Sequence, residues 1–215
     1  SDYQELAATF LFRTCYTILL PPKKFYENAI NHLYQEELGE IITDDKNIYE
    51  ELQQLYAGNP DILSKIRFYE NDAISLGTLY SFETQIQRAI SERVWMKSGA
   101  YLIIQPTEAL TVIDVNSGKN TSGKNAEEYY YKINLEAAAE ISRQLRLRNI
   151  SGIVIVDFIN MAKEEQRKEL MHQFRLSLKE DPVPVRLVDI TKLGLVELTR
   201  KKERKTLLEQ VAQLR

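Results

Sequence analysis

The sequence predicts an α/β fold in two parts, divided near residue 95. Three observations predict it. Strand-like and helix-like segments alternate from residue 24 to 95, an order that gives a mostly parallel sheet covered by helices. A hairpin signal follows, with β-rich runs on either side of Pro106-Thr107. Two further apolar runs, Leu110 to Asp114 and Gly152 to Asp157, flank a long helical period. The expected parts are a lead-in segment over 1–23, a first subdomain over 24–95 and a second over 96–215.

In the first half, Thr17 to Leu20 reads as a strand. Phe25 to Glu37 reads as a helix, because Tyr26, Ile30 and Leu33 share one face. Glu40 to Thr43 is a strand. The Asp44-Asp45 pair after it reads as the cap and first turn of a helix over Lys46 to Tyr56. Gly58-Asn59-Pro60 stops that helix. Ile66 to Tyr69 is a strand, and Ser81 starts a helix with Phe82, Ile86 and Ala89 aligned.

In the second half, Tyr101 to Gln105 and Glu108 to Val115 form the hairpin strands. A polar stretch, Ser117 to Asn125, leads into a long helix; Asn125 and Glu128 have capping-box spacing. Ile133, Ala137, Ile141 and Leu145 mark its buried stripe. Within Tyr129-Tyr130-Tyr131 the core position falls to Tyr130. Gly152 to Phe158 is continuously apolar, which predicts burial on both faces. Glu164 to Lys179 is a helix with Leu170, Phe174 and Leu178 inward, and Val185 to Ile190 is a further strand.

Composition is that of a globular chain, with 44% hydrophobic and 27% charged residues. No apolar run approaches the roughly 20 residues of a membrane helix, and no secretory core opens the chain, so a cytoplasmic location is expected. Cys15 is the one cysteine, which excludes an internal disulfide and a multi-thiolate zinc site. The formal charge of −3 is unusual for an independent nucleic-acid binder. Basic residues nevertheless cluster: Arg143, Arg146 and Arg148 at one helix end, and Arg200, Lys201, Lys202, Arg204 and Lys205 near the C-terminus. Each alone fits a solvated face or a helix end; as a set they offer phosphate contacts.

Asp114 and Asp157 are the candidate metal ligands. Each closes a strand, and neighbouring strands ending in carboxylates can set two hard oxygen ligands side by side. Magnesium binds in that way, with water and phosphate filling its shell. The competing reading is that both residues merely begin turns. Asn116 lies two residues beyond Asp114 and so projects to the same side of an extended segment; an Asx-turn is its alternative.

The words around these residues resemble the ribonuclease E/G family. They are Ser98-Gly99-Ala100-Tyr101-Leu102-Ile103-Ile104, Thr107 through Gly118, Asn134-Leu135-Glu136-Ala137-Ala138, Arg143 through Asn149, and Gly152 through Met161. The resemblance is strong over 98–204, weaker over 24–97 and faint before that. It implies a ribonuclease H-like subdomain followed by a DNase I-like catalytic subdomain. It implies that Asp114 and Asp157 hold Mg2+ and that Asn116 positions the ion's water shell. The implied reaction is endonucleolytic cleavage of single-stranded RNA to 5′-phosphate and 3′-hydroxyl ends, in RNA processing or decay. Lys119, Lys124, Arg143, Arg146 and Arg200 are the candidate RNA contacts.

Family members also carry an S1 domain, a 5′-monophosphate sensor and, in many, a cysteine pair sharing zinc between subunits. Matching segments are missing here, so a piece of a longer enzyme is expected, with a naturally shortened homologue as the alternative and a homodimer or higher oligomer as the partner state. Ala100, Asn149, Ser151 and Asn160 depart from the commonest family residues. The alternative is a non-catalytic RNA-binding or assembly module that keeps the fold. A magnesium phosphotransferase is a third reading, disfavoured because no Gly-rich phosphate loop is present.

Overall fold

A computed structural model describes Tyr26, Ile30, residues 38–118 and residues 126–213. The expected strand at 17–20, most of the helix over 25–37, Cys15, Lys119, Lys124 and the Asn125 cap lie outside the described residues. The chain divides into two compact units, Ser1–Tyr80 and Ser81–Arg215.

The first unit holds a two-stranded parallel sheet of β1 (Ile41–Thr43) and β2 (Ile66–Phe68), with Ile41 facing Ile66. Helices α1 (Lys46–Leu55) and α2 (Pro60–Leu63) connect them. α1 starts where it does because Asp45 accepts from the amides of Asn47 and Ile48 at 2.8 and 3.1 Å. These are donors that a helix otherwise leaves unpaired; Asp44 precedes the cap. Asn59 caps α2 in the same way, with Pro60 in its first turn. Thus the expected helix stop is also a helix start. Leu52, Ile62, Ile66 and Ile30 form this unit's core, with Tyr26 and Tyr49 packed against it. A short helix, α3 (Leu76–Leu79), is capped by Ser75.

The second unit contains α4 (Phe82–Ile90), β3 (Arg93–Trp95), β4 (Tyr101–Pro106), β5 (Leu110–Asn116), α5 (Ala126–Leu147) and β6 (Gly152–Asp157). α6 (Glu164–Leu178), β7 (Val185–Ile190), β8 (Val196–Arg200) and α7 (Leu207–Gln213) follow. Its mixed six-stranded sheet has the order β3-β4-β5-β6-β8-β7. Only the β5–β6 pair is parallel. Such a pair needs a crossover, and α5 supplies it.

Side chains alternate between the sheet's faces. Leu102, Ile104, Ile113, Val115, Val154, Val156, Val196 and Leu198 lie on one face, each at most 5% exposed. They pack on Ile133, Ala137, Ile141 and Leu145 of α5 and on Leu170, Phe174 and Leu178 of α6. Burying each such side chain stabilises by roughly 1.5–3 kcal/mol. The other face is more open. Ile153 is 49% exposed, which corrects the expectation that β6 is buried on both sides. An unbroken apolar run hides a period of two when only one face is covered.

Two other expectations change. Phe82 and Ile86 of α4 point outward at 48% and 39% exposure, so that helix buries no residue. Tyr129 and Tyr131 pack against the core, in place of the expected Tyr130, which stacks on Tyr129 at 5.9 Å. The helix register puts 129 and 131 at the two margins of the stripe that runs through Ile133.

Candidate functional site

Asp114 and Asp157 are direct partners across the parallel β5–β6 ladder. Neighbouring strands lie about 4.8 Å apart, so the two residues emerge side by side. Both sit on the open face, at the C-terminal ends of their strands, opposite the helices. β5 continues two residues past Asp114 because Val115 and Asn116 still pair with Leu102 and Tyr101 of β4. That extension returns Asn116 to the face of Asp114, and its Nδ2 donates to Asp114 Oδ2 at 2.7 Å. Asp114 and Asn116 are half-buried and Asp157 is exposed.

Three supports fix this end of the sheet. Asn134 of α5 is fully buried. Its Nδ2 donates to the Ile159 carbonyl at 2.7 Å, and its Oδ1 accepts from the Ile159 amide at 3.0 Å. This double bond pattern pins the segment leaving Asp157. It also satisfies two backbone groups that no ladder reaches. Gly118, at φ +70°, passes so close to the β3–β4 turn that a Cβ there would lie 2.5 Å from the Gly99 carbonyl oxygen. Only glycine fits. The Ser98 amide donates to Glu136 of α5 at 3.3 Å, tying the same turn to the helix layer. Asn134 and Glu136 lie in a recognised sequence word, but their roles needed the fold to be seen.

The expected basic residues do not gather here. Arg200 pairs with Gly152, at the start of β6 and on the helix-covered face. Five residues of strand separate it from the row of Asp157, about 16 Å. Its guanidinium donates to Asp181 at 2.8 and 3.1 Å, and to Asn149 Oδ1 and the Ile150 carbonyl at 2.8 and 3.2 Å. With 3% of its side chain exposed, it is a buried structural cation. This corrects its assignment to RNA. Arg143 donates to both carboxylate oxygens of Glu140, and Arg146 lies 3.8 Å from Glu180. Both belong to the last turns of α5, which lead into the start of β6, the end away from the aspartates. The departing residue Asn149 explains itself: at φ +49° it takes the left-handed turn after α5. Its amide donates to the carbonyls of Arg204 and Lys205 at 2.9 and 3.0 Å.

A cleft of about 710 Å³ opens at that same far end, lined by residues including Glu92, Thr107, Arg148, Lys202 and Leu207. It is remote from the aspartates. What surrounds the carboxylates is different. Arg93, Ile103, Asp114 and Asp157 form one row across four strands, and Trp95, Tyr101 and Asn116 form the next. Sequence reading missed β3 altogether, since three residues carry little periodicity.

Two carboxylates with an amide beside them form a hard oxygen donor set, suited to a divalent cation that keeps part of its water shell. Among the described residues no group of three or more His, Cys, Asp and Glu side chains could hold a metal. Nor is any helix of the described residues long and apolar enough to cross a membrane.

Comparison with known proteins completes the picture. A sequence model of the ribonuclease E/G family matches residues 2–203. Ribonuclease G of Salmonella typhimurium (strain SL1344) is 39% identical over 181 residues, 84% of this chain and 37% of that protein. Ribonuclease E of Synechocystis (strain PCC 6803) is 37% identical over 194 residues, 88% of this chain and 28% of that protein. Ribonuclease E of Escherichia coli (strain K12) is 36% identical over 176 residues, 81% of this chain and 16% of that protein. The chain therefore spans well under half the length of these relatives. With a match across nearly its whole length, it belongs to the ribonuclease E/G family.

Proposed function

We propose that this chain is the core of a magnesium-dependent endoribonuclease that cleaves single-stranded RNA to 5′-phosphate and 3′-hydroxyl ends. One observation carries the reading: Asp114 and Asp157 stand in register on the open sheet face, with Asn116 bonded to the first. The relatives' name, ribonuclease, supplies the substrate class. The same reading makes the first subdomain ribonuclease H-like and the second DNase I-like. It places the enzyme in the cytoplasm, as a homodimer or higher oligomer.

Asp114 and Asp157 would hold the ion, each through a carboxylate oxygen. When bound, magnesium supplies an activated water and counter-charge for the phosphodiester. Asn116 restrains Asp114 by donating to its Oδ2. Asn134 and Gly118 keep both strand ends from drifting, since small misplacements of such groups are costly. Water adds to phosphorus, the P–O3′ bond breaks, and the departing O3′ takes up a proton. The open face admits a single strand. The non-catalytic reading draws on the net charge of −3 and the remote arginines, which leave RNA affinity modest.

The test is a gel assay of a 5′-labelled single-stranded RNA with added magnesium. Asp114→Asn and Asp157→Asn should each abolish cleavage while leaving the melting temperature within a few degrees of wild type. Amide and carboxylate are nearly isosteric, but the amide lacks the charge that retains the ion. Full cleavage by either folded variant would place the assembly module in front.

A further inference from the structure

The open face of the sheet carries a feature that hydrolysis does not require. Trp95 is 62% exposed although it sits in a strand. Its ring lies 5.1 Å from that of Tyr101, tilted by 58°, and the two are direct partners across β3 and β4. The Arg93 guanidinium sits over both rings, 4.6 Å from Tyr101 and 5.6 Å from Trp95. Val94 between them packs into the core, so Arg93 and Trp95 share the opposite face. An exposed indole paired with a second ring and a guanidinium is a surface on which a flat ligand can stack.

Position selects that occupant. Trp95 and Tyr101 lie in the same row as Asn116, and Arg93 in the same row as Asp114 and Asp157. Two strand spacings separate Trp95 from Asn116, about 10 Å. At a rise of about 3.4 Å per stacked nucleotide, that spans roughly three nucleotides. An aromatic face beside a cation is what single-stranded nucleic acid uses: bases stack on the ring and phosphate meets the charge.

We propose that Trp95, braced by Tyr101 and Arg93, is a base-stacking platform that holds an unpaired nucleobase a few nucleotides from the scissile phosphate. The proposal rests on the endoribonuclease reading and adds a subsite to it. Arg93 supplies the phosphate contact that the distant Arg143, Arg146 and Arg200 cannot. Stacking is tolerant of base identity, so the platform favours single strands over duplexes without imposing a sequence.

Trp95 is the only tryptophan in the chain, so its emission reports directly on this site. The protein is titrated in EDTA and low salt with a single-stranded oligoribonucleotide, and in parallel with an abasic ribose-phosphate oligomer of equal length. Anisotropy of a dye on each oligomer measures binding independently. RNA should quench Trp95 saturably, and the abasic oligomer should bind with little quenching. Trp95→Ala should weaken RNA binding about 5- to 100-fold, the loss of one stacked base. Trp95→Phe should restore most of it, and thermal melts should show both variants folded. RNA binding with silent emission, equal quenching by the abasic oligomer, or an alanine variant that binds as tightly would each overturn the platform and leave the catalytic reading standing. Absence of any anisotropy change for the wild type would remove both.

Discussion

At the scale of single residues, the site depends on one hydrogen bond and one register. The Asn116 bond to Asp114 at 2.7 Å orients a carboxylate whose partner stands directly across the ladder. Asn116→Ala should therefore lower cleavage by about 10- to 100-fold, the usual cost of losing a group that orients a metal ligand. It should leave the melting temperature nearly unchanged, because Asn116 is only half-buried. A variant with wild-type rate would show that Asp114 needs no such support. The carboxylates were legible in the sequence because each closes an apolar run inside a long family word. Arg200 was not legible as a core residue. It stands in a basic run, yet it is the last inward position of β8, with Val196 and Leu198 preceding it at a period of two. Charge concealed the pattern.

At the scale of elements, two buried ionic groups hold α5 and β8 at the end remote from the aspartates. Arg200 and Asp181 have side chains 3% and 1% exposed. Removing one partner strands the other charge, so Arg200→Ala should destabilise by about 3–5 kcal/mol, measurable by urea unfolding. A loss below about 1 kcal/mol, the worth of an exposed pair, would contradict the packing described. Within α5, burial works against the charge of Glu140, but hydrogen bonds from Arg143 and Gln144 outweigh it and hold the carboxyl below its ordinary value of 4.5. A carboxyl depressed on folding contributes stability that is fully present above pH 4.5 and is lost as pH falls through its folded value. Glu140→Gln should thus cost about 1–2 kcal/mol at neutral pH. Thermal melts should show that difference shrinking below pH 4.5; a constant difference across the range would remove the charge from the explanation. Most elements were legible from their periods, including the stripe of α5 and the inward face of α6. Three short ones were not: three-residue β3 and four-residue α2 and α3 are set by caps and by strand pairing.

At the scale of the whole molecule, charge is spread against the proposed substrate. The net charge is −3, and the arginines expected to bind RNA lie at the wrong end of the sheet or are engaged with acids. The isolated chain should bind single-stranded RNA weakly, and affinity should fall steeply as salt rises. Titrating a fluorescent oligonucleotide at several salt concentrations checks this; tight, salt-insensitive binding would mean that base contacts dominate. The change in patterning divides the sequence near residue 95, whereas the compact units run from Ser1 to Tyr80 and from Ser81 to Arg215, with β3 paired to β4 inside the second. The central claim is that Asp114 and Asp157 share one divalent ion, and crystals grown with Mn2+ in place of Mg2+ test it most directly. Anomalous scattering should show a single strong peak beside both carboxylates. A manganese peak elsewhere, or carboxylates at the β5 and β6 ends without a shared ion at saturating metal, would contradict it.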